Sequence, residues 1–517
     1  MISPDLTTND KKKQASSGGP ITQDNTSVEY YCTIFTATES WVEKDLLWTG
    51  SDDGLVHISK DGGKNWENVT PKDCPQWMMW NCIEVDPFKK GAAYFVGTRY
   101  KLDDFKSYIY KTEDYGKTWK LIVNGINPLH FARCLRADRK RPGLLYAGTE
   151  YGMYISYDDG AKWKSFQLDL PVVPITDLTI KNNDLIIGTQ GRSIYILDDL
   201  TIIQENNPDI VNKNLHVFSV NPAYRMPGGG RRGNRFGGGE LRNAGMNPPN
   251  GVMMNYFMKN VTDSTKLSIE VMDKNKKLIK MFSTTSKDNK IELTKGMNQF
   301  EWDMNYKEAE KVEGLILWNG FIGGPKAAPG NYFAKFKTGS DSIEVPFSVI
   351  ADPNYKTSQS ESEEQFNHLI TIRDKSSEIM KAIKSIREMR QQMNDFSARV
   401  GKELPKEVKQ QIDTVNKQMT AVEDALHQTK AKSGQDVLNY PIKLDDKLSS
   451  IYNASAAGQS GLNRQSKEAY AELVVQIDEQ LNKLKKIISE DVLKLNQLIH
   501  EKTLPVIGVK KEDKEKE

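Results

Sequence analysis

Residues 46–66 read LLWTGSDDGLVHISKDGGKNW, and two later stretches repeat the pattern: YIYKTEDYGKTW at 108–119 and LLYAGTEYGMYISYDDGAKW at 144–163. A fourth, eroded copy, DLIIGTQGRSIYILDD at 184–199, lacks the closing glycine and tryptophan. The units combine short alternating strands, a Gly-Thr or Gly-Ser break and a polar turn. Trp66, Trp119 and Trp163 stand 53 and 44 residues apart, close to the roughly 40–50-residue rhythm of four-stranded β-propeller blades. Residues 28–220 are therefore expected to supply about four blades, as an incomplete ring, with a closed four-bladed ring as the alternative. The expected fold class is mainly β with an α C-terminus.

The most specific signal inside the repeat is S/T-x-D-x-G-x-x-W. It falls on Ser59, Asp61, Gly63 and Trp66; on Thr112, Asp114, Gly116 and Trp119; and on Ser156, Asp158, Gly160 and Trp163. The spacing has a mechanical reason. An aspartate accepts backbone N–H bonds across a tight turn, glycine takes the positive-φ position, and the tryptophan is expected to fold back into its own blade. Such a motif staples a hairpin and is not a catalytic or metal-binding device.

Outward from the repeats, composition changes twice. Residues 221–246 contain PGGGRRGNRFGGG and read as a flexible linker; no amphipathic helix follows to make a phosphate-binding loop. Residues 247–354 hold six strand-like stretches spaced by turn residues, which predicts an Ig-like β-sandwich. From 355 to 505 apolar residues recur every three and four positions. Ile379, Ile383, Ile386, Met389, Met393, Phe396 and Val400 form one stripe, Val408 to Leu426 a second, and Tyr470, Leu473, Ile477, Leu481, Leu484, Ile488, Leu495 and Leu498 a third. Three amphipathic helices must bury these stripes against one another, so a helical bundle is expected. Residues 1–27 are a polar segment and 506–517 a charged tail.

The 517 residues exceed what one core usually fills. Lysine and arginine total 71 against 69 acidic residues, interspersed, which argues against nucleic acid as a partner. No apolar run is long enough for a transmembrane segment. Cys32, Cys74, Cys82 and Cys134 match no metal motif; isolated buried thiols are the plain reading and a Cys74 to Cys82 disulfide the competing one. The six histidines are scattered singly, so no metal site and no cofactor is expected.

The three boxes match the pattern of Asp-box (BNR) repeats. Together with SGGPITQDNTSVEYYCTIFTATES at 17–40, TRYKLDDFKSYIYKTEDYGKTW at 98–119 and GTQGRSIYILDDL at 188–200, the chain resembles the second half of the large exported BNR-repeat proteins of bacteria, often labelled sortilin-like or "glycosyl hydrolase". NPPNGVMMNYFM, GMNQFEWDM and PGNYFAKF are similar to the Ig-like sandwich of those proteins, a domain like that of flagellar hook-capping proteins. YPIKLDDKLSSIYNASAAG at 440–458 is similar to their C-terminal segment. The resemblance implies Asp boxes on the outer rim, away from the ligand face. It also implies relatives about twice as long, with a signal peptide and further blades ahead of the matched region. A periplasmic, outer-membrane-associated or secreted location follows if such a leader precedes this region, and a cytoplasmic one if Met1 is the true start.

Glycosidase chemistry requires two converging carboxyls about 5–10 Å apart. Asp52, Asp53, Asp103, Asp104, Glu150 and Asp177 are the candidates, but nothing in the sequence pairs them, and turn carboxylates are the plain reading. Arg99, Arg133, Arg136 and Arg192 recur at blade-like intervals, which suggests a sialidase-like cluster only by analogy. A xyloglucanase-type site would draw on a second propeller. The segment expected to touch a ligand is the insertion carrying Arg99, Tyr100, Lys101, Asp103, Asp104 and Phe105, with Arg192 on a second loop; its competing reading is a blade-packing loop held by internal ion pairs. Trp77, Met78, Met79 and Trp80 are expected to be buried between blades, with binding of sugar rings or a partner as the alternative. The favoured function is non-catalytic recognition of a protein, peptide or glycan, with an upstream propeller half as a further partner. A hydrolase sharing its site with that half, and an assembly subunit acting through its helices, are the alternatives.

Overall fold

The computed structural model describes residues 2–15, 30–226 and 249–504. Most of the expected glycine-rich linker, the segment 16–27 and the tail 506–517 lie outside the described residues. Two compact units divide between Asn207 and Pro208.

The first unit holds four antiparallel meanders. They are β1 (Ile34–Glu39), β2 (Leu47–Ser51), β3 (Val56–Ser59) and β4 (Glu67–Asn68); β5 (Met79–Val85), β6 (Ala93–Arg99), β7 (Asp104–Thr112) and β8 (Lys120–Leu121); β9 (Ala132–Ala137), β10 (Leu145–Thr149), β11 (Gly152–Ser156) and β12 (Lys164–Ser165); and β13 (Ile175–Lys181), β14 (Asp184–Thr189) and β15 (Ile194–Leu197). The first three are four-stranded blades. The fourth has three strands and runs on into α1 (Thr201–Glu205). The first strands pack in sequence, β5 on β1, β9 on β5 and β13 on β9, and the described residues show no matching packing of β13 on β1, so the ring is open. Each first strand bulges at the same place, skipping Phe35, Asn81, Arg133 or Thr176 in the ladder. Such bulges re-aim a side chain. The core between the first two blades is aromatic, with Trp48, Trp80, Phe95 and Tyr110 meeting edge to face.

The Asp boxes close the turns that follow β3, β7 and β11. Ser59, Thr112 and Ser156 hydroxyls accept the N–H of Gly63, Gly116 and Gly160 at 2.8, 2.9 and 2.9 Å. Asp61, Asp114 and Asp158 accept the N–H of Asn65, Thr118 and Lys162 at 2.9, 2.8 and 2.9 Å. The glycines sit at φ of 92°, 79° and 82°, a region a Cβ disfavours. The tryptophans depart from expectation. Trp119 packs edge to face on Phe95 of its own blade at 5.2 Å, but the indoles of Trp119 and Trp163 donate, at 2.7 Å each, to the carbonyls of Val69 and Ile122 on the exit segment of the preceding blade. Trp66 donates to Gly63 of its own turn at 3.0 Å and to Ile2 at 3.2 Å, so residues near the N-terminus line the first blade as an exit segment lines the next. An indole N–H needs a partner when buried, and the neighbouring blade supplies it.

The second unit opens with two short strands that periodicity missed. β16 (Leu215–Val217) pairs with β18 (Val252–Met258), whose other edge pairs with β21 (Gly296–Trp302). β17 (Ala223–Arg225) pairs in parallel with β23 (Asp341–Ala351), which continues through β22 (Gly330–Thr338) and β19 (Ser268–Met272) to β20 (Leu278–Ser283). Residues 208–220 thus belong to a two-sheet sandwich, not to the blades. Its core stacks Tyr256, Trp302, Phe336 and Phe347. Alternation of apolar residues explains the sandwich strands, since one face of each sheet is buried.

The helices are α2 (Gln359–Val400), α3 (Lys406–Leu426), α4 (Leu444–Ala456), α5 (Arg464–Lys486) and α6 (Leu493–Glu501). Ser358 and Glu361 form a capping box at the start of α2. The stripes of α2, α3, α4 and α5 form one core with Ala309, Leu315 and Ile322 from the loop before β22. The third stripe is not continuous. A π-helical stretch, Ile487–Val492, joins α5 to α6, burying Ile487 and leaving Ile488 40% exposed. An inserted residue shifts the periodic face by about 100°, which is why Ile488 leaves the stripe. Asp446 at the start of α4 accepts the N–H of Trp318 and of Asn319 at 2.8 Å each and so fixes that loop to the bundle. Among the described residues no helix is long and apolar enough to cross a membrane.

Candidate functional site

Register separates the two ends of each blade. Glu39 faces Leu47 and Leu47 faces Ser59, so the first Asp box shares its end with the β1–β2 turn. Ile34 faces Ser51 and Gly50 faces Val56, which places the Ser51–Leu55 turn at the opposite end. At that end lie the corresponding turns of the other blades: Tyr100–Asp103, Glu150–Tyr151 and Gln190–Ser193.

The insertion after β6 is a short 3-10 turn, Tyr100–Leu102, ended by Asp103 at φ 54°. The strands re-pair at Arg99 and Asp104, whose side chains form an ion pair. Arg99 Nε also donates to the Gln76 carbonyl at 3.0 Å, and Tyr108 donates to Asp104 at 2.7 Å. Burial raises the Asp104 carboxyl, but hydrogen bonds from Tyr108, the Lys106 amide and Arg99 outweigh it and hold the group below its ordinary range. Arg99 and Asp104 therefore shape the loop, while Lys101, Leu102 and Phe105 are exposed and Tyr100 is half-buried. Tyr100 stacks on Phe131 at 5.2 Å with rings 12° apart, and Arg133 lies over both rings while pairing with Glu150 at 2.5 Å.

Beside this loop is a cavity of about 190 Å³ lined by Tyr31, Asp52, Trp77, Met79, Thr98, Arg99, Tyr100, Lys101 and Leu102. Tyr31 and Trp77 stack at 5.7 Å, and the Lys13 ammonium sits 3.9 Å from the Trp77 ring. Trp77 was expected between blades. Instead it is 42% exposed at φ 64°, whereas Met78 and Trp80 are fully buried. Asp52 accepts the Thr33 N–H at 2.7 Å; burial raises its carboxyl and the neighbouring Asp53 adds to the rise. Asp53 is also raised by burial, but Ser51 and Thr8 donate to it and bring it below the ordinary value.

The remaining candidates are dispersed. Asp103 is exposed at the loop tip and Glu150 is tied to Arg133. Asp177 pairs with Arg136 at 2.7 Å, beside the buried Glu84. Arg192 is exposed on the β14–β15 turn and does not line the cavity. The sequence reading missed Tyr31 and Lys13 altogether. All four cysteines are free, so the Cys74 to Cys82 disulfide is not formed; Cys82 is buried with its thiol toward the Leu135 carbonyl. Among the described residues no three His, Cys, Asp or Glu side chains gather as metal ligands.

No family model matches the chain, and no curated protein matches it. Solved structures that resemble it include YCF48 bound to a D1 peptide (18% identity, covering 32% of this chain and 50% of that one, TM-score 0.26). Others are the GH74 xyloglucanase of Xanthomonas campestris (12%, 65% and 47%, 0.26) and the WD40 β-propeller domain of Doa1 (13%, 32% and 51%, 0.23). The chain spans about half the length of these structures. Both enzymes and non-enzymatic propellers stand among them, at identities and scores too low to carry an argument about this chain's activity.

Proposed function

We propose that the chain is a recognition protein of the Asp-box, sortilin-like type that binds a protein, peptide or glycan segment, without turnover, on the blade end opposite the Asp boxes. The observation that carries this reading is the cavity between Trp77 and Tyr100. It offers the partly exposed rings of Trp77 and Tyr100, a carboxyl at Asp52 and a cation at Lys101 on a blade framework. Aromatic platforms flanked by a few polar groups are what sugar rings and peptide side chains engage. The neighbouring carboxylates favour binding over hydrolysis, because Asp104 and Glu150 are each committed to an arginine. Location at the bacterial envelope follows from the family resemblance alone.

One observation favours a hydrolase as the second reading. Asp52 and Asp53 are adjacent and driven in opposite directions, as acid and base pairs are. Asp53, however, is occupied by Thr8 and Ser51. The test is a screen of the chain against glycan and peptide arrays with turnover followed in parallel. Binding lost at least about tenfold in Trp77→Ala and Tyr100→Ala, with no product formed, supports recognition. Product formation abolished by Asp52→Ala refutes it, and so does binding that both aromatic variants leave unchanged.

A further inference from the structure

Two apolar faces of the helical bundle confront each other across open space. Met389, Met393 and Phe396 recur every three or four residues near the end of α2, and Val492, Leu495 and Ile499 do so from the π-helical stretch through α6. That spacing puts each trio on one side of its helix. α3 packs on both helices and adds Ile412. These residues line a cavity of about 480 Å³, within the roughly 300–1,000 Å³ of small-molecule pockets. Met393, Phe396, Ile412 and Leu495 are buried while Met389, Val492 and Ile499 are half-buried, so the apolar lining runs from the core toward solvent. The π-helical stretch contributes to the opening: it turns Ile488 out of the stripe and keeps Val492 on the cavity.

The polar part of the lining is a cation without a counter-charge. Arg399 Nε is buried and has no hydrogen-bond acceptor among the described residues, and its guanidinium stands 5.7 Å from the Phe396 ring. Asp395, one turn earlier on α2, is the carboxylate that such spacing would ordinarily offer it. It accepts instead from Gln391 at 2.9 Å. Gln392 and Asn496, one from each helix, add amides to the same wall. A buried donor left unmade costs free energy that an incoming acceptor recovers, and the guanidinium fork matches the two oxygens of a carboxylate. Asp395 also lines the cavity, which disfavours a head group with more than one negative charge.

We infer that this cavity binds an unbranched apolar chain ending in a single carboxylate, as in a fatty acid, with the head on Arg399 and the chain between α2 and α6. The two methionines suit a flexible chain, because their side chains adapt to irregular contours. A partner helix is the other occupant that facing apolar stripes could take. Ten residues of helix span about 15 Å and, at about 10 Å across, displace roughly 1,200 Å³. The cavity holds less than half of that.

Isothermal titration of the full chain with dodecanoate, below its micelle-forming concentration, should show saturable binding of one molecule per chain. Dodecanol and dodecyltrimethylammonium, with the same chain and no negative head, should bind at least about tenfold more weakly. Arg399→Gln should weaken dodecanoate at least about tenfold and leave dodecanol unchanged, and Arg399→Lys should recover part of the loss. Asn496→Trp, at an exposed position on the cavity wall, should block dodecanoate with the far-UV spectrum unchanged, which separates this cleft from adsorption elsewhere. A chain that takes up no dodecanoate overturns the inference, as does equal affinity for dodecanol, binding that either Arg399→Gln or Asn496→Trp leaves intact, or uptake of a Leu/Glu amphipathic helical peptide in place of the carboxylate.

Discussion

Replacing Gly148 with alanine probes how tightly consecutive blades are joined. The added methyl would lie 2.6 Å from Ile175 Cγ2 and 2.7 Å from Cys134 Sγ, with Ile175 at 0% and Cys134 at 1% exposure. Neither neighbour has free space, so strands β10 and β13 must separate or a side chain must leave its rotamer. Overpacking of this kind costs about 1–3 kcal/mol. At Gly50 the clash is with Trp80 Cβ at 2.7 Å, an atom that no rotamer moves, so the cost lies toward the upper end. Gly188 occupies the same repeat position, where a Cβ would meet only the adjacent strand β13 at ordinary contact distance, 3.5 Å from the Asp177 carbonyl, and alanine there is neutral or stabilising by up to about 1 kcal/mol. Thermal unfolding followed by tryptophan fluorescence reads the difference, at about 2–4 °C per kcal/mol for a unit of this size. Equal losses at Gly148 and Gly188 would refute the assignment of the loss to packing of one blade on the next.

Burial raises the Glu84 carboxyl to about 7, against the attraction of Arg136. The folded state then keeps a proton that the unfolded state releases from its ordinary 4.5 upward, so stability falls between pH 4.5 and 7, by up to about 3 kcal/mol, and levels off above. Urea unfolding of Glu84→Gln across that window should show this slope largely gone. Trp163→Phe strands the Ile122 carbonyl in the core and should cost about 1–3 kcal/mol, whereas Trp66→Phe, at a more open site, should cost less than about 1 kcal/mol by the same unfolding assay. Asp446→Asn loses the charge that receives two backbone N–H groups and should destabilise the second unit by about 1.5–3 kcal/mol, seen as faster proteolysis between 311 and 323.

What was legible in the sequence was local. An Asp box closes through bonds spanning four residues, from Ser59 to Gly63 and from Asp61 to Asn65, so spacing alone specifies it. The Arg99–Phe105 loop was visible as extra length between two strands. The cavity beside it was not, because Tyr31, Asp52 and Trp77 come from three separate segments and meet only when one blade packs on the next. The destination of the box tryptophans was hidden for the same reason, as their acceptors lie in the preceding blade. β16 and β17 have three residues each, too few to show a period. The motif YPIKLDDKLSSIYNASAAG drew notice without an explanation. Its Asp446, Ser449 and Ser450 bind the 318–320 loop, and its Asp445 pairs with the buried His427 at 2.7 Å, so it is a clasp within the second unit.

Coupling between neighbouring blades follows from the same contacts. Trp119 and Trp163 bond to the blade before them, and Gly50 and Gly148 receive the blade after them, so a blade's stability depends on its neighbours more than on its own short strands. In such an array the terminal units open first. The first blade is protected at its outer edge by Ile2 against Trp66 and by the buried Leu6, and Thr8 holds Asp53. Among the described residues the fourth blade has no box tryptophan, no fourth strand and no blade packed after it. Amide hydrogen exchange should therefore be fastest in β14 and β15 and slowest in β6 and β10, which lie between filled interfaces. Exchange that is uniform across the four blades would mean that the first unit opens as a single cooperative body, and the contacts at Gly50 and Gly148 would then not be what sets its stability.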